Sequence, residues 1–403
     1  MASYSFEQQI YSLSQTANIS FSKRFATLNA LQDYVTDTMN GLLSNPSAQD
    51  LIGDWNTIWG PYTWCNYAAQ DNPKGTSSTP YYSDNTMYLA YNAEPNQYVL
   101  AVAGTNAISW FGWLVEDFST IKTEPWSKLV PNTTATTAKI SEGTYTGMNI
   151  LLNEINSQYS GSQAGIVAFL TNHMKTAKAG ATMAVTGHSL GGALSPTLAT
   201  YLKEIQSTWD PTGNVTVLST YPTAGPTPGD EAFAHHIEAE IGSNYHASYN
   251  KIDMVPHAWE AIMMAEIPTL YTACGIPAPT IIKDAVDLLI GATLMNGYLQ
   301  AQPLTSLPGT CYKTEPQLIT EIIGEISPAL LKELESFGLA DTSNLVNFLL
   351  EVVYQHTTAY NSLLNREAYS VLFDQATGTK PSYEHLVLTV IDELLKVFKT
   401  FSK

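Results

Sequence analysis

Three observations predict an α/β fold with a largely parallel central sheet flanked by helices. First, short strand-like runs recur through the middle of the chain: "QYVLAVAG" at 97–104, "ATMAVTG" at 181–187, "NVTVLSTYPTAG" at 214–225 and "YHASYN" at 245–250. Second, helical patterns, notably Gly147 to Tyr159 and Ile166 to Ala179, separate the first three runs. Strands alternating with helices imply right-handed crossovers and parallel pairing. Third, "MAVTGHSLGGALSPTLA" (183–199) sets Ser189 between Gly187 and Gly191, where a strand passes at once into a helix.

Taken in chain order, residues 1–96 read as an N-terminal helical and irregular extension. Within it, 19–43 places Phe21, Phe25, Leu28, Leu31, Val35 and Met39 on one helical face. Residues 44–96 are rich in aromatics, Pro, Asn and Gly and read as irregular. Leu190 to Ser207 has helical spacing, with Pro196 expected to kink it. Residues 259–338 carry apolar helical segments broken by prolines. In "IIKDAVDLLI" (281–290), Ile281, Ile282, Ala285, Val286 and Leu289 oppose Lys283, Asp284 and Asp287. This reads as a helical cap inserted in one domain spanning 1–403. Tyr383 to Phe401 reads as a closing helix.

Composition narrows the function. Of 403 residues, 36 are acidic and 18 basic, a formal charge of −18, which argues against nucleic acid and strongly anionic membranes. Only 13% are charged, so the surface relies on neutral polar groups and suits work at an apolar interface. The three cysteines form no metal spacing; Cys274 and Cys311 are the pair favoured to bridge, leaving Cys65. "MASYSFEQQIYSLSQ" lacks the basic and apolar regions of a signal peptide, and no run is long and apolar enough to span a membrane. The expectation is a chain that is cytoplasmic, exported by a non-classical route or numbered from a mature form. No cofactor and no metal are expected.

Glycines two before and two after Ser189 relieve crowding at a sharp turn and leave the hydroxyl at its tip. A serine hydroxyl needs an imidazole base, and that imidazole needs a carboxylate to fix its tautomer. On this kind of sheet the order is Ser, acid, His. Asp253 in "YNKIDMVPH" follows a strand end, where active-site residues collect, and is favoured over Asp230, a candidate helix cap. Downstream histidines are His257, close in sequence to Asp253, then His356 in "EVVYQHTTAYN" and His385 in "PSYEHLVL"; His356 is favoured. His188 reads as a brace for the turn. The backbone N–H of Leu190, at the helix start, and of Thr105, after Gly104, are the candidate oxyanion donors.

These pieces, in this order, resemble the class 3 lipase family. "YVLAVAGTNAISWFGWLVED" looks like its oxyanion strand and turn, "ISEGTYTGMNILLNEI" its glycine-aromatic helix start and "VTGHSLGGAL" its elbow. "TYPTAGPTPGDEAF", "YHASYNKIDMVPH" and "HTTAY" resemble the turn, acid and histidine segments that follow. The resemblance implies an α/β-hydrolase fold. It also implies Ser189 as nucleophile, Asp253 as acid, His356 as base, Thr105 and Leu190 as the oxyanion hole, and a lid after Thr105. The single glycine before Thr105 implies longer acyl chains. Departures are Ala103 where arginine is usual, Glu142 where histidine is common, and a 103-residue interval from Asp253 to His356.

The implied activity is cleavage of acylglycerol esters at a lipid–water interface, with transient contact to a membrane or lipid-droplet surface. The stretch "ISWFGWLVEDF" and the helices of 258–300 are expected to cover the serine. Phospholipase A1 action on zwitterionic lipids, an acyltransferase and an inactive lipid-binding scaffold are the alternatives.

Overall fold

The computed structural model describes residues 2–21, 23–66, 81–104, 120–159, 161–339, 341–378 and 382–401. Its main sheet has seven strands in the order of the chain. They are β1 (Asn56–Trp64), β2 (Asn85–Asn92), β3 (Gln97–Val102), β4 (Ala181–His188), β5 (Val215–Thr223), β6 (Ala247–Asn250) and β7 (Leu304–Leu307). The first three pair antiparallel, and every pairing from β3 to β7 is parallel. A separate two-stranded ribbon joins Thr123–Pro125 to Lys139–Ser141.

Alternate residues of the strands serve two cores. Met87, Leu89, Leu100, Val102, Met183 and Val185 pack with the crossover helices, through Leu151, Leu170, Leu194 and Phe233. Tyr88, Ala90, Val99, Ala101 and Ala184 face the other way. There they meet α1 (Phe6–Thr16) and α2 (Leu28–Leu43), through Ile10, Leu13, Leu31, Val35 and Met39. A sheet apolar on both faces needs a second cover, and the start of the chain supplies it.

Two sequence expectations change here. The stretch 44–96 is not irregular: it holds a helix at Pro46–Ile52 and the strands β1 and β2. Alternation was hidden because β2 is buried on both faces and β1 is interrupted by Gly60, Pro61 and two register shifts. The helix expected from residue 19 begins at Leu28, because Thr27 is extended and its hydroxyl accepts from the Ala30 N–H as a cap. Phe25 instead bridges to Tyr81.

The helix after the elbow, α3 (Leu190–Glu204), continues through Pro196. Beyond β6 the segment 259–338 alternates short helices with β7, which returns to the sheet beside β6. A further core joins the helix Thr280–Thr293, α4 (Thr342–His356) and the closing helix α6 (Tyr383–Phe401), around Ile281, Phe348, Leu349, Val352, Ile391 and Leu395. Between α4 and α6, α5 (Glu367–Thr377) sends Tyr369 to the α1–α2 side of the sheet. Cys274 and Cys311 form a disulfide across 37 residues. Among the described residues no helix is long and apolar enough to cross a membrane.

Candidate active site

The elbow is assembled from residues adjacent in sequence. Strand β4 ends at His188, and Ser189 adopts φ +62° and ψ −125°, a conformation that L side chains rarely take. Three backbone bonds hold it there. The Ser189 N–H donates to the Thr223 carbonyl at the end of β5 (3.0 Å), and the Ser189 carbonyl accepts from Gly192 (2.8 Å) and Ala193 (3.3 Å) as α3 begins. A Cβ on Gly187 would lie 2.2 Å from the Gly191 carbonyl oxygen, so strand and helix meet closer than any side chain permits. Gly104 comes as near from the side: a Cβ there would sit 2.8 Å from the His188 oxygen and 3.1 Å from Ser189 Cβ. The Gly104 N–H is held by Asn18 Oδ1 at 2.9 Å. Leu190 is the first residue of α3, so its N–H has no carbonyl one turn back to bond within the helix. Thr105 and the 105–119 segment lie outside the described residues.

The carboxylate and imidazole come together over a long span of chain. Asp253, fully buried three residues past β6, accepts at Oδ2 from His356 Nδ1–H (2.8 Å) and from the Tyr360 hydroxyl (2.9 Å). Its Oδ1 accepts from the Val255 N–H at 3.0 Å. Two donors on one oxygen fix the carboxylate plane, and the carboxylate fixes the imidazole tautomer. Burial, with Asp253 beside it, pushes the Tyr360 phenol well above its ordinary range, so it stays a donor. Tyr360 oxygen accepts in turn from the Asn250 N–H (2.9 Å).

A second layer orients α4. Asn250 Nδ2 donates to Gln355 Oε1 (2.7 Å), and Gln355 Nε2 donates to Glu351 Oε2 (2.8 Å) and the Thr310 carbonyl (2.7 Å). Burial raises the Glu351 carboxyl above its usual range, and its Oε1 accepts from the Tyr312 N–H at 2.7 Å. His188 donates from Nε2 to the His356 carbonyl at 2.8 Å. Burial, with charge on His356 and Arg366, holds its imidazole well below the ordinary 6.5, so it remains the neutral donor that this bond requires.

The rival candidates lie elsewhere. Asp230 caps the helix Glu231–Ile241, accepting from the Phe233 N–H. His257 is buried and donates from Nδ1 to the Asp253 carbonyl (2.8 Å), packed on the turn. His385 is exposed at the start of α6. Ser189 and His356 instead line one cavity of about 350 Å³ together with Gly104 and His188. Its apolar wall is Ile19, Phe21, Val353, Leu364, Phe373 and Leu386. None of its described lining comes from 258–300, and the stretch "ISWFGWLVEDF" lies outside the described residues. The cavity's described lining comes from residues 11–21 and 353–386, with Gly104, His188, Ser189 and Thr223.

Residues 99–262 match the family described as lipase (class 3). Over that stretch the chain is similar to class 3 lipases. The crystal structure of M37 lipase is similar over 93% of this chain and 100% of that one, with 25% identity and a TM-score of 0.66. Lipase II from Rhizopus niveus is similar over 64% of this chain and 75% of that one, with 19% identity and a TM-score of 0.41. No curated protein matches. The family match and the M37 lipase structure both point to lipase-type hydrolases.

Sequence reasoning missed Tyr360, Gln355 and Asn18. Tyr360 stands four residues after His356 in "HTTAY", one helical turn away, and that spacing was the available signal. Asn18 braces the turn at Gly104, next to Ala103, the position where the sequence departs from the class 3 lipase pattern.

Proposed function

We propose that the protein hydrolyses acylglycerol esters at a lipid–water interface through Ser189, His356 and Asp253. The observation that carries this reading is the Asp253–His356 hydrogen bond of 2.8 Å beside a cavity shared by His356 and Ser189. In this mechanism Ser189 Oγ attacks the ester carbonyl while His356 Nε2 takes its proton. Asp253 stabilises the imidazolium through Nδ1. Charge gathers on the former carbonyl oxygen, and the N–H groups of Leu190 and Thr105 receive it. Collapse releases the alcohol with the proton from His356 and leaves an acyl-serine. Water deprotonated by the same imidazole then frees the fatty acid. The reading takes residues 1–403 as one hydrolase domain.

The test compares wild type with Ser189→Ala on p-nitrophenyl esters of two to eighteen carbons and on triolein. Expected is a loss of at least about 10³-fold with an unchanged circular dichroism spectrum. A rate that rises sharply once substrate exceeds its solubility marks interfacial action. A folded Ser189→Ala protein that retains hydrolysis, or a wild type inactive on every ester, would overturn the reading.

A further inference from the structure

The cavity beside Ser189 also contains a cation that the ester chemistry does not use. Arg366 lines it with only 7% of its surface exposed. A buried guanidinium is costly unless a countercharge meets it. Here its hydrogen bonds are to neutral groups of α1: Nη1 donates to the Tyr11 carbonyl (3.1 Å) and to Gln15 Oε1 (2.7 Å). Those two bonds use the hydrogens of a single nitrogen. Nε is buried without a partner, and among the described residues Arg366 forms no ion pair.

The edge without a protein partner, Nε with Nη2, is the planar fork whose spacing matches two oxygens of a carboxylate or phosphate. Burial lowers the guanidinium from its ordinary value only to about 10, so the charge persists at neutral pH. In a chain of net charge −18 such a cation is a local exception, and it recognises an anion at short range instead of steering anions from afar. The same cavity offers Phe21, Val353, Leu364 and Phe373 for an alkyl chain.

We infer that Arg366 forms an oxyanion subsite of the ester-cleaving cavity, which takes the carboxylate of a released fatty acid or the phosphate of an acyl phospholipid. The role as a substrate or product subsite rests on the hydrolase reading above; the anion site itself does not.

The test is direct binding to the full-length protein by calorimetry. Octanoate and octyl phosphate are used below micelle concentration, with 1-octanol as the neutral control. Wild type is expected to bind at least one of the two anions about 10-fold more tightly than octanol. In Arg366→Gln that preference falls to within about 2-fold. Arg366→Gln also removes two contacts to α1, so its fold is checked by circular dichroism. Arg366→Lys keeps a cation but not the fork, and is expected to lose at least about 3-fold of the preference. Tighter octanoate assigns the product carboxylate, and tighter octyl phosphate a phospholipid. Equal binding of octanol and both anions by wild type overturns the inference, as does full preference retained in either folded variant. Hydrolysis by Ser189→Ala is scored separately, so the failure of one reading leaves the other standing.

Discussion

The two halves of the site are held in place by different means. The Ser189 side is local: a strand, a strained residue and a helix within about twenty residues, packed through glycines that exclude any Cβ. The His356 side is long-range: Asp253, Asn250, Tyr360 and Gln355 meet across 103 to 110 residues, through hydrogen bonds between buried polar groups. The first half resists change because backbone cannot yield. The second depends on every member of a network being satisfied. The same insult should therefore act abruptly on one side and gradually on the other.

The abrupt case is Gly187→Ala. Its new methyl would meet the carbonyl oxygen, carbonyl carbon and Cα of Gly191 at 2.2 to 2.7 Å, all backbone. We expect a cost of about 3 kcal/mol or more, read from the urea midpoint, because no side chain can rotate away. Ester hydrolysis should fall by about 100-fold or more, since the elbow must shift to admit the methyl. A variant with wild-type midpoint and rate would show that the close approach is not needed.

On the other side, Cys311→Ser opens a closure spanning 37 residues. The chain-entropy estimate for a loop of this length is about 3–4 kcal/mol. Its reach toward the chemistry is indirect: Thr310 and Tyr312, which flank Cys311, bond to Gln355 and Glu351 on α4. Stability is thus expected to drop more than activity, with kcat lowered by roughly 2- to 10-fold at temperatures where the variant stays folded. Equal loss in both, or none in either, breaks the distinction between the halves.

This difference also explains what was legible in the sequence. The elbow is recognisable because its chemistry, its glycines and its change of period occupy one short window. Asp253 is recognisable because it follows a strand end. Tyr360 and Gln355 are ordinary polar residues on helices until the fold brings Asn250 to them. The strands β1 and β2 escaped because burial on both faces and breaks in register erase the two-residue period. The part that α1 and α5 take in lining the cavity was not legible, because nothing in their pattern says which face of the sheet they cover.

Tyr360→Phe probes the network with one atom. It removes a donor from Asp253 Oδ2 and leaves the buried Asn250 N–H without its acceptor. We expect about 1–2 kcal/mol of lost stability and kcat lowered by about 10-fold, with KM little changed. An unchanged kcat would mean that the Val255 and His356 bonds suffice to orient the carboxylate.

The smallest effect joins the two halves, since His188 sits beside Ser189 and bonds to the His356 carbonyl. Its imidazole is held well below 6.5 by burial first, with the nearby His356 and Arg366 charges adding to it. Above about pH 6.5 neither folded nor unfolded chain protonates this ring, and its contribution to stability is fully present. As pH falls below that value the unfolded chain takes up the proton while the folded one refuses it. Stability therefore declines, by up to about 1.4 kcal/mol per pH unit. Glu351 works in the opposite sense: its carboxyl is raised by burial, so it favours the folded state as pH falls through the range just above 4.5. Both effects operate in wild type, whereas His188→Gln keeps Glu351 and an amide donor for the His356 carbonyl but has no ring to titrate. Subtracting urea-derived stabilities of the two proteins at about pH 7.5, 6 and 5 isolates His188, and the wild type should fall more steeply on acidification. Parallel curves would mean that the ring is protonated in the folded protein, and the bond from His188 to the helix that carries His356 would need another account.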